Sequence, residues 1–250
     1  MELSGNTVLI TGGATGIGFC LAQEFLKADN TVLICGRREN KLLEAQSHAP
    51  EFKTKVSDIA NRNDRKPLAD WSISHGVNIL INNAGIQREV DFKHSGDELD
   101  EGDSEIRINL EGTIYLTALL IPHLMKQPNA AIVNVSSGLG FIPIANMPIY
   151  CATKAAIHSF SVSLRHQLAS AGIKVFEAIP PIVDTELDRG ARSRRGQTDR
   201  GIPPEEAATA IFQGMAEDQP EIAIGMAKNL VAASRTANFD QIFQRMNSRG

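Results

Sequence analysis

Thr7-Val8-Leu9-Ile10-Thr11-Gly12-Gly13-Ala14-Thr15-Gly16-Ile17-Gly18 decides how the rest of this 250-residue chain is read. Its first five residues form a short apolar strand candidate, and a glycine-rich turn follows at once. Beyond it Ile17, Leu21 and Phe25 recur every four positions, which puts one apolar stripe on a helix. A strand that turns into a helix this abruptly needs positions without Cβ, so that the backbone can bend and approach a ligand. The helix start then offers unpaired N–H groups and the positive end of its dipole to a phosphate. The spacing G-x-x-x-G-x-G differs from the commoner G-x-G-x-x-G, and a tight loop without a ligand is the plain alternative. Its place at the end of the first strand favours phosphate binding.

Outward from this turn, short apolar runs alternate with longer amphipathic stretches. Further strands are expected over 31–35, 52–56, 78–82, 131–136, 174–178 and 221–225. Most of them are rich in Val and Ile, as strands buried on both faces tend to be. Helices are expected over 17–28, 39–47, 64–75, 103–126, 148–171 and 204–217, with Pro148 tolerated in a first turn. Repeated strand–helix–strand units imply parallel strands with right-handed crossovers. The fold class is therefore α/β, a Rossmann-type doubly wound sheet of seven parallel strands with helices on both faces. Residues 1–250 are expected to form one domain, since no linker or repeat divides them. The irregular, Arg- and Gly-rich stretch 184–202 is a candidate substrate lid at the carboxyl end of a strand.

Composition narrows the function classes. Hydrophobic residues are 42% and charged residues 22% of the chain, which argues against extended disorder. A net charge of −4 without a dense basic run leaves nucleic acid an unexpected partner. Cys20, Cys35 and Cys151 form no ligand cluster and no CxxC pair, so reduced thiols and no metal site are expected. The opening MELSGN lacks the basic region of a signal peptide, and no apolar run spans a membrane. A cytoplasmic protein without membrane association follows as the expectation.

The second strand ends Ile34-Cys35-Gly36-Arg37-Arg38, without the acid that usually holds the ribose 2′-OH of NAD. A guanidinium can instead clamp a 2′-phosphate through forked, charge-assisted hydrogen bonds, so NADP(H) is favoured. The alternative is that Arg37 and Arg38 merely solvate the start of the next helix. Tyr150 and Lys154 lie four apart in an expected helix and so share a face. A nearby ammonium favours the phenolate and brings a tyrosine toward useful acid–base chemistry. Such a pair is a weak signal by itself. Ser137, after the buried-looking run AAIVNVSS, gives it weight, because its hydroxyl reaches the same sheet edge.

These residues together resemble the short-chain dehydrogenase/reductases over essentially the whole chain. The matching features are TGGATGIG at 11–18, Asp58, NNAG at 82–85, Asn109, Ser137, Tyr150-Cys-Ala-Thr-Lys154 and Thr185. The resemblance implies that Tyr150 is the general acid in carbonyl reduction and the base in alcohol oxidation. Lys154 would lower the tyrosine pKa and bind the nicotinamide ribose, Ser137 would orient the carbonyl, and Asn109 would hold a relay water. The cofactor-binding set it implies is Thr11, Gly12, Thr15, Gly16, Ile17, Gly18, Arg37, Arg38, Asp58, Ile59, Asn83, Ala84, Gly85, Tyr150, Lys154, Pro180, Val183 and Thr185. Asp58 would read the adenine, residues 83–85 would face the adenosine ribose, and Val183 with Thr185 would fix the carboxamide. Where the family usually has Pro-Gly, this chain has Pro180-Pro181, so a differently shaped nicotinamide wall is expected. Spacing favours Ser137 over Ser136 as the substrate-facing hydroxyl.

The partner implied is a small carbonyl or alcohol compound, and the resemblance also implies a homodimer or homotetramer. The competing reading is a non-catalytic NADP(H)-binding sensor or scaffold on the same fold. Asn82 is expected to be structural, Cys151 is given no function, and His123, His158 and His166, without partners in sequence, are read as helix-surface or core positions and not as catalytic groups. Arg189, Arg192, Arg194, Arg195 and Arg200 in the lid would either attract an anionic substrate or only solvate a loop.

Overall fold

A computed structural model describes residues 1–94, 99, 102–187, 201–236 and 239–247. Seven strands form one sheet in the order β3-β2-β1-β4-β5-β6-β7, and all paired neighbours run parallel. In chain order the strands are β1 Thr7–Thr11, β2 Thr31–Gly36, β3 Lys53–Val56, β4 Ile79–Asn82, β5 Ala131–Val135, β6 Lys174–Ile179 and β7 Glu221–Ala223. The helices are α1 Gly16–Lys27, α2 Glu39–His48, α3 Arg62–Ser74, α4 Thr113–Leu124, α5 Pro148–Leu168, α6 Pro204–Ala216, α7 Ala227–Ser234 and α8 Phe239–Asn247. The expected doubly wound sheet is the observed one.

Alternation along each strand builds two cores. Val8 and Ile10 of β1, Ile79 and Ile81 of β4, and Val133 of β5 pack on one face with Leu21 and Phe25 of α1 and Ile211 of α6. Leu9, Leu80 and Ile132 point to the other face and meet Leu68 of α3, Leu116 and Leu120 of α4, and Leu164 of α5. Of the stripe Ile17, Leu21 and Phe25, the last two are fully buried and Ile17 partly so, and Pro148 does open α5.

Two expectations need correction, and two helices were missed. The third strand is not buried on both faces: β3 is the sheet edge, and Lys53 and Val56 are exposed. Lysine on an edge strand discourages pairing with another chain. The stretch 103–126 is not one regular helix. It begins with a π-helical segment, Ile106–Gly112, before α4. Gly112 explains part of this, because a Cβ there would lie 2.8 Å from the Ile59 carbonyl oxygen, so only glycine lets the segment press on that loop. Finally, α7 and α8 were not legible as helices.

No helix among the described residues is long and apolar enough to cross a membrane. Cys20, Cys35 and Cys151 are buried free thiols. Most of the expected lid falls outside the described residues, including Arg189, Arg192, Arg194, Arg195 and Arg200.

Candidate active site

β1 and β4 are neighbours, yet their chain connections leave toward opposite sides of the sheet. Such a switch point opens a crevice at the carboxyl ends of the strands. The cavity there has a volume of about 1970 Å³. That is roomier than the roughly 300–1,000 Å³ of a site for one small ligand.

The glycine turn forms one end. Gly12 and Gly16 have φ of +64° and +55°, a region that strains L side chains. Gly18 is required for space, since a Cβ there would come 2.4 Å from both the Gly12 carbonyl oxygen and Asn83 Nδ2. Gly18→Ala is therefore expected to cost about 1–3 kcal/mol of stability by overpacking. An unchanged Tm would contradict this packing.

The turn is held from behind. Thr11 Oγ1 accepts from the amides of Asn83 and Ala84, both at 3.0 Å. Asn83 Nδ2 donates to the carbonyls of Thr11 at 3.0 Å and Gly12 at 3.2 Å. Thr11 and Gly18 thus stand one layer behind the cavity wall and shape it. Gly12, Thr15, Gly16, Ile17, Arg37, Arg38, Asp58, Ile59, Asn83, Ala84, Gly85, Pro180, Val183 and Thr185 are all on the wall. Asn82 is structural as expected, donating to Thr117 Oγ1 and Asn134 Oδ1.

At the end of β2 both arginines face carboxylates. Arg37 Nη2 lies 2.6 Å from Asp103 Oδ2, and Arg38 Nη1 lies 2.9 Å from Glu186 Oε2. Hydrogen bonds from Arg37 and Arg38 hold Asp103 and Glu186, respectively, below the usual carboxylate range. All four side chains are about half exposed, so each pair contributes only ~0–1 kcal/mol and a dianion can displace the carboxylate. Ser57 belongs to this end and was missed by sequence reasoning. Its buried hydroxyl has no partner among the described residues, it lines the cavity, and its amide donates to the Gly36 carbonyl. Only its place beside Asp58 hinted at this.

At the other end β5 delivers Ser136 and Ser137. Ser136 turns inward and donates its hydroxyl to Glu177 Oε1 at 2.5 Å. Ser137 is on the cavity wall, and its Oγ accepts from the Leu139 amide at 3.2 Å. Among the described residues its O–H has no acceptor, so it can donate into the cavity. Tyr150 and Lys154, one turn apart on α5, line the same cavity. Lys154 Nζ lies 5.6 Å from the Tyr150 ring centre and donates to the Val135 carbonyl at 2.8 Å. Burial lowers the Lys154 pKa from 10.5 to about 8, so the amine is still mainly a cation at neutral pH.

Asn109 lies in the π-helical segment behind that wall. Its Oδ1 accepts from the Ile86 amide at 2.8 Å, and its Nδ2 donates to the Ile86 carbonyl at 2.9 Å and Thr153 Oγ1 at 3.2 Å. A Cβ on Gly85 would sit 3.3 Å from Asn109 Oδ1 and 3.7 Å from Lys154 Nζ, so glycine keeps this junction open. After β6, the Pro180 carbonyl accepts from the Gly138 amide at 3.2 Å. The chain then crosses back over the glycine turn, with Thr185 Cγ2 2.9 Å from where a Gly16 Cβ would be.

His158 has a partner that its place in the sequence did not show: its Nδ1 is 2.8 Å from Glu177 Oε2. His123 Nε2 bonds the Val77 carbonyl, a structural role. Sequence reasoning also missed the far end of the cavity, where Met226, Leu230, Ile242 and Met246 form an apolar wall.

A family model described as short chain dehydrogenase matches residues 6–196. The chain is 47% identical over 251 residues to an uncharacterised oxidoreductase, DltE, of Bacillus subtilis (strain 168), covering 100% of this chain and 99% of that one. A crystal structure of a short chain dehydrogenase from Burkholderia cenocepacia J2315 in complex with NADP is similar at a TM-score of 0.85 and 24% identity, over 98% of this chain and 99% of that one. A short chain dehydrogenase/reductase from Burkholderia phymatum in complex with NAD gives 0.84 at 22% identity, over 98% and 96%. At those identities the two structures speak for the fold alone.

Proposed function

The chain belongs to the short-chain dehydrogenase family, and from that membership we propose that it is an NADP(H)-dependent oxidoreductase that interconverts a carbonyl and an alcohol. The observation that carries this reading is that Ser137, Tyr150 and Lys154 all line the switch-point cavity, with the turn after Ser137 packed on the Lys154 backbone at Gly140.

The residues fit a dinucleotide. The glycine turn gives a phosphate close access to the backbone, and the start of α1 supplies N–H groups and dipole. Asp58 and Ile59 would flank the adenine, with the orphaned Ser57 hydroxyl beside them, and Asn83, Ala84 and Gly85 would face its ribose. Pro180, Val183 and Thr185 would frame the nicotinamide. The bound cofactor supplies the hydride chemistry, and the protein supplies position, charge and protons. In reduction the Tyr150 hydroxyl gives its proton to the carbonyl oxygen, and in oxidation it takes the proton back. The Lys154 ammonium favours the anionic phenol that results. Ser137 donates a hydrogen bond to the same oxygen and stabilises its developing charge. Asn109 Oδ1, which accepts one hydrogen bond from the Ile86 amide and has a second lone pair, would hold the water that returns a proton to Lys154.

A homo-oligomer is proposed from the family membership alone; the free thiols of Cys20, Cys35 and Cys151 are in keeping with a cytoplasmic location, and the one sheet shared by both cores supports a single domain.

A panel of aldehydes and ketones with NADPH tests the reading, with loss of NADPH absorbance as the expected result. Tight NADPH binding without turnover across the panel would favour the sensor instead. For cofactor choice, Arg37→Ala is expected to weaken NADPH by about 10- to 100-fold more than NADH, as loss of a charged hydrogen bond worth ~1.5–3 kcal/mol implies. Equal losses for both cofactors would refute the assignment.

A further inference from the structure

Glu177 lies within β6, paired in register with Asn134 of β5 and Glu221 of β7, and its side chain is wholly shielded from solvent. Burying a carboxylate is costly unless its oxygens are satisfied. Both are. Oε1 accepts from Ser136 Oγ at 2.5 Å, and Oε2 faces His158 Nδ1 at 2.8 Å. The carboxylate draws the single N–H of a neutral imidazole to Nδ1.

The two partners matter for where they stand. Ser136 immediately precedes Ser137, and its amide is already tied to the Ala178 carbonyl at 2.9 Å. His158 is on α5, one turn beyond Lys154 and two beyond Tyr150. The turn after Ser137 also leans on this histidine, with the rings of Phe141 and His158 4.4 Å apart. One buried carboxylate therefore grips both the strand end that presents Ser137 and the helix that presents Tyr150 and Lys154. His158, Glu177 and Glu221 do gather within 4.8 Å, but Glu221 is paired with Arg235 at 2.6 Å. A guanidinium beside the cluster repels a metal ion, so the cluster reads as a hydrogen-bonded chain.

We propose that Glu177 is a positioning residue of the reaction, which through Ser136 and His158 sets the Ser137 hydroxyl against the Tyr150 phenol. This rests on the proposed carbonyl reduction. Small misplacements of reacting groups lower rates steeply, by about 100-fold per ångström in sensitive cases. Arg37 and the glycine turn lie outside this network, so most of the cofactor affinity is kept.

The test compares Glu177→Gln, Ser136→Ala, Ser137→Ala and the double variant Glu177→Gln/Ser137→Ala, using NADPH and the carbonyl that the wild type reduces fastest in the panel. Glu177→Gln and Ser136→Ala are expected to lower kcat about 10- to 100-fold, with the NADPH Kd within about threefold of wild type. Ser136→Thr should restore most of the rate. Because part of the effect of Glu177 runs through Ser137, the loss in the double variant should be smaller than the product of the two single losses. A slow Ser137→Ala beside an unimpaired Glu177→Gln overturns the inference and leaves the proposed function standing, as do losses that multiply in the double variant. A wild type inert across the panel removes the proposed function, and this inference with it. If Glu177→Gln does not fold, the Ser136→Ala and Ser136→Thr pair decides by the same criteria.

Discussion

Tyr150→Phe is expected to lower kcat about 100- to 10,000-fold, the range that positioned proton transfer contributes, while NADPH binding stays within about threefold of wild type. The substitution deletes one oxygen from a mostly buried ring packed beside Met147 and Cys151, so the shape of the wall is kept. What disappears is the only proton that the proposed mechanism delivers to the carbonyl oxygen. Ser137 remains as a donor to that oxygen, so a residual rate is expected. Steady-state kinetics with the best carbonyl, beside fluorescence titration with NADPH, give the two readings. A kcat equal to that of wild type would remove Tyr150 from the chemistry.

Lys154→Met should separate activity from stability in opposite directions. Loss of the ammonium beside the phenol is expected to cost about 100- to 1,000-fold in kcat, as for other preorganised charge stabilisers. Stability should not fall with it. Burial depresses the Lys154 pKa to about 8, against 10.5 for the free group, so the folded state binds this proton less well than the unfolded chain does. The penalty is fully present below pH 8, declines as pH rises, and is gone above 10.5. Its size at neutral pH is about 3 kcal/mol. Leaving the Val135 carbonyl without its donor costs about 1–3 kcal/mol in return. The variant should therefore melt no lower than wild type at pH 7. Wild type should also gain stability between pH 8 and 10.5, a rise that the variant lacks. Activity runs the other way, because kcat/KM for reduction should fall as pH rises through about 8 and the free enzyme loses this cation. A variant that is both inactive and much less stable at pH 7 would argue that the amine is a structural group.

The sequence by itself determined what local periodicity encodes. Val8, Leu9 and Ile10 assign their side chains to alternate faces because a strand repeats every two residues. Leu21 and Phe25 share a helix face, as do Tyr150 and Lys154, because a helix repeats every 3.6. The glycine turn was legible because its backbone strain is local, although its close contacts with Asn83, Ala84 and Thr185 are not. The order of these elements then fixed a doubly wound sheet and put Ser137 at the same edge as Tyr150.

Only the tertiary structure decided the pairings that cross the sheet. Arg38 meets Glu186, Arg37 meets Asp103, and Asn109 spends its amide on Ile86 and Thr153. Glu177, which reads as an ordinary charged residue in a strand, is sealed between Ser136 and His158. No repeat in the sequence relates these residues, because the crossovers between distant strands set their distances. A charge placed by such a crossover is compensated by whatever group the packing brings to it, and that group is visible only once the chain has folded.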